Sequence, residues 1–386
     1  MIIVKKSCVI PTYWGPIDEG EEIIFDHPTP LGTEGTLGRL IENLLGYEAI
    51  RIGDIPVIIV GVSNKKSLRE DCEKELERLL KPYENQLDLR LYAYKKLDKI
   101  KQKLSQLSVD SELIEPESYS QIRNLCLYAA LESGADVGIF LDDDEILIDD
   151  NFFQLATDGL YKRADDNGII MAKAGYYEQE RPSYRNFWEL KWWPKDVSFN
   201  EAFDRLMDKR SRYKPSMVGL GGNMVMTKEV MKDICFDPLV NRGEDMDYVL
   251  NARFRGYRFY FDNQLRIKHL PPEKKTPMWK KAREDIYRFL FMRDKYNSHK
   301  NLEYFQKVAH EEMQPYPGIF LEEDLEERIF EHNKQLGLKY LRENDQKGFD
   351  ECMENSKIPF VYQRRENAAL LYYNQLKHWE QITATL

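Results

Sequence analysis

From the start of the chain to about residue 175, short apolar runs alternate with stretches whose apolar positions fall three and four apart. Ser7-Cys8-Val9-Ile10-Pro11-Thr12 reads as a short buried strand closed by a turn at Pro11-Thr12-Tyr13. Leu37, Leu40, Ile41, Leu44 and Leu45 then share one face of a helix, in the i, i+3, i+4, i+7, i+8 pattern. A strand over Pro56–Val62 and a helix carrying Leu68, Cys72, Leu76, Leu79 and Leu80 follow. Next come a strand over Leu87–Tyr94, a lysine-rich helix, and a helix bearing Ile122, Leu125, Cys126 and Ala129. Val137-Gly138-Ile139-Phe140-Leu141, bounded by polar residues, has the continuous apolar character of a strand buried on both faces. A helix over 152–164 and a strand over Ile169–Lys173 close the series. Such alternation predicts an α/β fold with a mainly parallel sheet and helices on both faces.

The pattern changes after that point. Residues 176–215 are aromatic and charged without a clean period. Asn223–Met226 reads as a strand, with Thr227 as the N-cap of a short helix. A helix over 245–255 stops before Gly256, a suitable residue just past a helix end. Tyr257–Asp262 and Leu265–Lys268 read as two strands joined by a turn at Asp262-Asn263. Pro271-Pro272 ends the block, and 276–386 is helical almost throughout. The expected organisation is therefore a domain over 1–272 and a helical region over 273–386, with no internal repeat.

Composition narrows the class. Hydrophobic residues make up 42% of the 386, as in a globular chain. The net charge of −10, with both signs interspersed, excludes the concentrated basic face that nucleic-acid binding needs. No apolar run approaches the roughly 20 residues of a membrane-spanning helix. Met1–Thr12 is too short in apolar character for a signal peptide. Cys8, Cys72, Cys126, Cys235 and Cys352 are widely spaced, as expected of buried thiols in a reducing compartment. These features predict a cytoplasmic protein.

Candidate chemistry begins where the apolar run 137–141 meets Asp142-Asp143-Asp144-Glu145. Three adjacent carboxylates repel one another unless something neutralises them. The carboxyl end of a strand is also where open α/β sheets hold ligands. Asp142 and Asp144 could share a hard divalent cation, which prefers oxygen ligands and would itself attract phosphate. A solvated acidic turn is the alternative.

Further groups follow in order: Pro11-Thr12-Tyr13, Arg123-Asn124, the aspartate triplet, Gly221-Gly222-Asn223, Arg242-Gly243-Glu244-Asp245, Arg253-Phe254-Arg255-Gly256-Tyr257 and Lys268-His269. With these, residues 7–272 resemble GT-A nucleotide-sugar glycosyltransferases, nearest to inverting enzymes of the family-two and β-1,4-galactosyltransferase kinds. The resemblance implies a hexosyltransferase that uses Mn²⁺ or Mg²⁺, a UDP- or GDP-sugar donor and a hydroxyl acceptor. It implies Asp142, Asp144 and His269 as metal ligands, and Asp245 as general base with Glu244 beside it on the acceptor. It also implies a nucleotide-sugar contact set of Pro11, Thr12, Tyr13, Arg123, Asp142, Asp143, Gly221, Gly222 and Asn223. If the strand's alternation continued, Asp143 would face away from Asp142 and Asp144.

Trp188, Trp192 and Trp193 suit stacking on the apolar faces of an acceptor sugar, or equally a plug of the core. The acidic loop 13–34, which includes His27, has the length of an active-site lid or of a solvated connection. Paired aromatics in 276–386 allow a homodimer or an extended acceptor. A retaining transferase of the glucosyl- or mannosylglycerate type is the close alternative. A nucleotidyltransferase is more distant, because Pro11-Thr12-Tyr13-Trp14 stands where its Gly-rich phosphate loop would be. A non-catalytic sugar- or nucleotide-binding scaffold is the third.

Overall fold

The structure is a computed structural model, and it describes residues 4–16, 28–63, 65–178, 191–208, 210–272 and 276–386. Its centre is a mixed sheet of strands β1 (Lys6–Gly15), β2 (Thr29–Pro30), β3 (Val57–Ser63), β4 (Leu89–Tyr92), β5 (Val137–Leu141), β6 (Glu145–Leu147), β7 (Ala172–Tyr177), β8 (Tyr213–Pro215), β9 (Asn223–Thr227) and β10 (Phe259–His269). The spatial order is β4-β3-β1-β5-β9-β7-β10-β6, with β2 beside β1 and β8 beside β10. β4, β3, β1 and β5 run parallel, and β10 runs parallel to β7. β9 is antiparallel to both β5 and β7.

Crossover helices explain the parallel half: α1 (Leu37–Leu44), α2 (Arg69–Leu80), α3 (Tyr94–Gln106) and α4 (Tyr119–Glu132) alternate with its strands. The twofold period of the strands then divides the core into two layers. Cys8, Ile10, Val57, Ile59, Ile139 and Leu141 pack on α1 and α2, in a cluster that includes Leu40, Leu44 and Leu76. Val9, Ile58, Val60 and Phe140 face the other way, into a cluster with Ile122, Leu125 and Tyr128 of α4.

That second cluster continues into the C-terminal helices. It includes Phe289 and Leu290 of α9 (Met278–His299), and Tyr372 and Trp379 of the last helix, Ala368–Thr383. Tyr372 donates to Cys235 O (2.9 Å) and the Trp379 indole to Met231 O (2.9 Å), so the last helix is tied to the sheet domain by directed bonds. Lys295 of α9, fully buried, meets Asp237 (2.6 Å) and Asp247 (2.8 Å). All five cysteines are buried and none is in a disulfide. No helix among the described residues is long and apolar enough to cross a membrane.

Three local expectations are corrected. β1 does not turn at Pro11-Thr12-Tyr13 but runs on to Gly15, because β3 continues to pair with it from Cys8 to Trp14. β5 pairs with β1 only as far as Val9↔Phe140, so Pro11 lies where one flank of the strand has no ladder to lose. The helix expected over 152–164 is only α5 (Phe152–Thr157), since Lys173 Nζ takes the carbonyls of Leu155 (2.6 Å) and Asp158 (2.8 Å). The two strands around Asp262-Asn263 are one, β10, with a register shift between Phe261 and Arg266. Asp262, fully buried, bonds Lys173 at 2.8 Å, and that buried pair holds the irregular stretch inside the sheet. In the aperiodic region a helix, α6 (Lys195–Leu206), was not foreseen, while the short helix expected after Thr227 is α7 (Lys228–Asp233).

Candidate active site

The ends of β1, β5, β7 and β10 and the loop before β9 meet at one edge of the sheet, beside a cleft of about 450 Å³. Its wall includes Tyr13, Arg123, Asp142, Asp143, Asp144, Tyr177, Gly221, Glu244, Asp245 and His269. The far wall is formed by Lys195, Phe199, Arg242, Arg288 and Tyr316.

The aspartate triplet reaches the cleft as a whole because extended geometry stops at Leu141. Glu145 N–H donates to Asp142 O (3.3 Å), which closes a turn and removes the alternation expected to send Asp143 away. Each carboxylate has a different environment. Asp142 is gripped by both guanidinium tips of Arg123, Nη1 to Oδ1 at 2.8 Å and Nη2 to Oδ2 at 3.1 Å. Asp143 accepts from Thr12 Oγ1 at 2.5 Å, and burial together with its two acidic neighbours pushes its pKa up to about 7. Asp144 lies 3.2 Å from His269 Nε2, and Arg39 holds this corner by donating to Asp144 O and Leu270 O.

Beneath them Glu145 is fully buried, with burial and the charges of Asp142 and Asp144 holding its carboxyl well above the usual range. Its Oε2 accepts from Asp142 N–H at 2.9 Å. A Cβ on residue 222 would stand 1.9 Å from Glu145 Oε1 and 2.8 Å from Asp142 Oδ2, so only glycine lets this loop close over the triplet. Gly222 N–H donates to the Tyr177 hydroxyl (3.1 Å), and the Tyr177 ring stacks on His269 with centroids 4.8 Å apart.

Joined to the triplet through Arg123, helix α8 (Glu244–Phe254) begins at Gly243, whose φ of 68° is left-handed. A side chain there would also collide with Arg288 Nη1 at 2.1 Å. Glu244 and Asp245 occupy the first turn, where the helix dipole favours negative charge. Burial and the neighbouring Asp245 push Glu244 up to about 7, against the opposing pull of Arg123, whose Nε lies 3.6 Å away. Asp245 is also raised by burial, while N–H bonds from Met246 (2.7 Å) and Gly221 (3.2 Å) oppose the shift.

Several expected contacts are absent or differently placed. Pro11 and Thr12 are buried in β1, and Thr12 is engaged with Asp143 and with Trp14 Nε1 (3.2 Å), leaving Tyr13 on the cleft. Asn223 is buried and spans the sheet, its Nδ2 donating to Leu265 O (3.1 Å), so it does not face a donor sugar. Trp193 is a core residue, stacked on His332 (5.1 Å) and packed on Phe289 and Phe320, which removes it as an acceptor platform. Trp192 lies under the Lys191 ammonium (4.1 Å) and does not line the cleft. Trp188, His27 and residues 17–27 of loop 13–34 lie outside the described residues.

Tyr177, Lys195, Arg288 and Tyr316 were missed. Tyr177 and Lys195 fall in the aperiodic stretch 176–215, and Arg288 and Tyr316 in the helical region 276–386, where no motif marks them.

Among the described residues no three His, Cys, Asp or Glu side chains converge on a common point. Asp144 and His269 do have the separation of two adjacent ligands, since donors about 2.1 Å from one ion and at right angles stand about 3 Å apart.

No protein-family model matches the chain, and no curated protein sequence matches it. Among solved structures it is similar to the mannosyltransferase PcManGT from Pyrobaculum calidifontis in complex with GDP-Man and Mn²⁺. The identity there is 11% and the TM-score 0.48, with 99% of this chain and 84% of that one covered. It is also similar to glucosyl-3-phosphoglycerate synthase from Mycobacterium tuberculosis in complex with Mn²⁺, UDP and phosphoglyceric acid, at 13% identity and TM-score 0.40, covering 74% and 76%. A mycobacterial protein matches at 15% identity and TM-score 0.41, covering 75% and 74%.

Proposed function

We propose that this chain is a metal-dependent glycosyltransferase of the GT-A kind, moving a hexose from a UDP- or GDP-sugar to a hydroxyl acceptor with inversion. One observation supports the reading above the others. The Asp144–His269 pair and the Asp245 carboxylate line the same cleft, and the glycine loop links them, Gly221 N–H donating to Asp245 while Gly222 lies against the base of the triplet. A sugar held by its diphosphate at the Asp144–His269 pair would lie in the cleft that Asp245 also lines.

Asp144 and His269 would hold Mn²⁺ or Mg²⁺, the remaining positions falling to diphosphate oxygens and water. When bound, such an ion neutralises the charge that develops on a departing nucleoside diphosphate. The chain's own residues do the rest. Arg123 is a positioning residue: its fork fixes Asp142 and its Nε steadies Glu244, so one buried cation holds both carboxylates. The glycine pair lets backbone come close to the sugar. Asp245 takes the acceptor hydroxyl's proton as that oxygen attacks the anomeric carbon and the bond to the diphosphate breaks. Its two backbone N–H bonds hold the carboxylate at that post.

The test is ligand-dependent melting of the full chain with a panel of nucleoside diphosphates and Mn²⁺, since a bound ligand stabilises in proportion to its affinity. UDP or GDP with Mn²⁺ should raise the melting temperature, and Asp144→Ala should abolish the metal-dependent part. Absence of any metal-dependent shift in the native chain would sink the donor assignment. NMR of the product separates inversion from retention, because an α-linkage from an α-donor would exclude Asp245 as base.

A further inference from the structure

A second cavity, of about 390 Å³, adjoins the cleft and shares Tyr119, Arg242 and Arg288 with it. The rest of its lining comes from the entry to α4, the loop 239–241 that leads to α8, and α9. Lys280, Glu284, Tyr287, Arg288 and Phe291 fall three and four apart, so α9 turns one stripe of side chains to this cavity. Two of the shared residues flank the candidate base. Arg242 directly precedes Gly243-Glu244-Asp245, and a Cβ on Gly243 would stand 2.1 Å from Arg288 Nη1. The second cavity therefore meets the cleft on the Asp245 side.

Its lining mixes ring surface with hydrogen-bonding groups. Tyr119, Tyr287 and Phe291 supply the rings, and Leu239 and Tyr287 remain 42% and 48% exposed, apolar side chains kept at the surface beside the cavity. Among them Asn241 can donate and accept, Lys280 donates and Glu284 accepts. The charges alternate in sign and are largely paired: Glu284 with Arg242 (2.9 Å), Glu117 with Lys66 (3.1 Å), and Arg288 with Asp285 (3.4 Å). Arg288 is only 8% exposed, and its Nε is buried with no hydrogen-bond partner among the described residues. A buried donor left unmade costs free energy until something accepts from it.

We propose that this cavity is a second sugar subsite: the acceptor is a glycoside of at least two residues, whose terminal sugar offers a hydroxyl to Asp245 while the next sugar occupies the cavity lined by Tyr119, Tyr287 and Phe291. The proposal rests on the glycosyltransferase reading and deepens it by giving the acceptor a length and a class. A pyranose has a C–H face that suits an aromatic ring, and neighbouring hydroxyls that both donate and accept. Those hydroxyls match Asn241, Glu284 and the open Nε of Arg288. A wholly apolar group would satisfy the rings but bury the Arg242–Glu284 pair and Lys280 without hydrogen bonds. An anionic chain would meet Glu117 and Glu284. The volume falls within the roughly 300–1,000 Å³ of small-molecule sites, and a single-sugar acceptor would leave it unused.

Calorimetric titration of the full chain tests this, with and without Mn²⁺ and UDP or GDP. The probes are the methyl glycosides of glucose, galactose and mannose, the disaccharides maltose, cellobiose, lactose and α-1,2-mannobiose, and the p-nitrophenyl glycosides of the same three sugars. At least one disaccharide should bind about tenfold more tightly than the matching methyl glycoside, and more tightly than the p-nitrophenyl one. Tyr287→Ala removes an exposed ring and Leu239→Trp fills the cavity from its surface, so each should cancel that gain, whereas Tyr287→Phe should keep most of it. The proposal is overturned if no disaccharide binds better than its methyl glycoside, if the p-nitrophenyl glycosides gain as much, or if the gain survives in both Tyr287→Ala and Leu239→Trp. The donor assignment is read separately, from the nucleotide-dependent melting shift. A disaccharide gain without that shift would defeat the transferase reading and leave a glycan-binding cavity. The shift without the gain would defeat the subsite alone.

Discussion

Asp245 and Glu244 are adjacent carboxyls in one helical turn, yet their surroundings assign them different work. Asp245 takes two backbone N–H bonds, which fix its direction, and it faces the space between the cleft walls. Asp245→Asn keeps the shape and removes the basic oxygen. Transfer should fall by about 10²–10⁴, the usual worth of a positioned base, while the melting shift given by nucleotide and Mn²⁺ persists. Full turnover in the variant would exclude the role. Glu244 is the one whose protonation reaches neutral pH, pushed up to about 7 by burial and by Asp245. A carboxyl raised on folding binds its proton more tightly in the native state. Its contribution to stability is therefore present below the ordinary value of 4.5 and lost as pH rises through about 7. Glu244→Gln cannot titrate, so its stability relative to the native chain should improve between pH 4.5 and pH 7, as read by urea unfolding across that range. A constant difference over the interval would mean that Glu244 is ionised throughout.

At the scale of elements, the site depends on how closely one loop can lie against another. The glycine loop before β9 covers Glu145 and the base of the triplet with no room for a methyl group. Gly222→Ala should cost about 1–3 kcal/mol through overpacking and should displace Asp142, weakening nucleotide more than it weakens the fold. Urea unfolding and the nucleotide melting shift, measured together, check this, and an unchanged pair of values would contradict the contact. The glycines were legible in the sequence because two adjacent residues without side chains mark a backbone that must come close to something, and the strand run 137–141 was legible because burial on both faces leaves no polar residue in it. Strand ends were less so. Pro11 reads locally as a breaker, but the pairing of β1 with β3 over seven residues overrides it. Lys173 and Asp262 read as polar boundary residues, and only the folded chain shows that they neutralise each other inside the sheet. The far wall was hidden for another reason. Lys195, Arg288 and Tyr316 are spread over more than a hundred positions, lie on helices or turns that look ordinary, and acquire meaning only where those elements meet.

For the whole molecule the question is whether 276–386 is an appendage or part of the folding unit. Three of its contributions bear on the answer. Phe289, Leu290, Tyr372 and Trp379 belong to the same apolar cluster as Val9, Ile58 and Phe140 of the sheet. Lys295 alone among the described residues brings an ammonium to Asp237 and Asp247, two carboxylates with no more than 1% exposure. Arg288 and Tyr316 complete the far wall of the cleft. Removing the segment would therefore expose one face of the core, strand two buried acids without their counter-charge, and open the acceptor side. Breaking a buried ion pair by deleting one partner costs about 3–5 kcal/mol, a large share of the 5–15 kcal/mol that holds a typical protein together. The lost apolar cover adds to that. A 1–275 fragment is expected to be insoluble, or soluble only as a form that binds no nucleotide, which expression and the melting assay would establish. A soluble, fully active 1–275 fragment would show that the sheet domain stands by itself and that the far wall is dispensable.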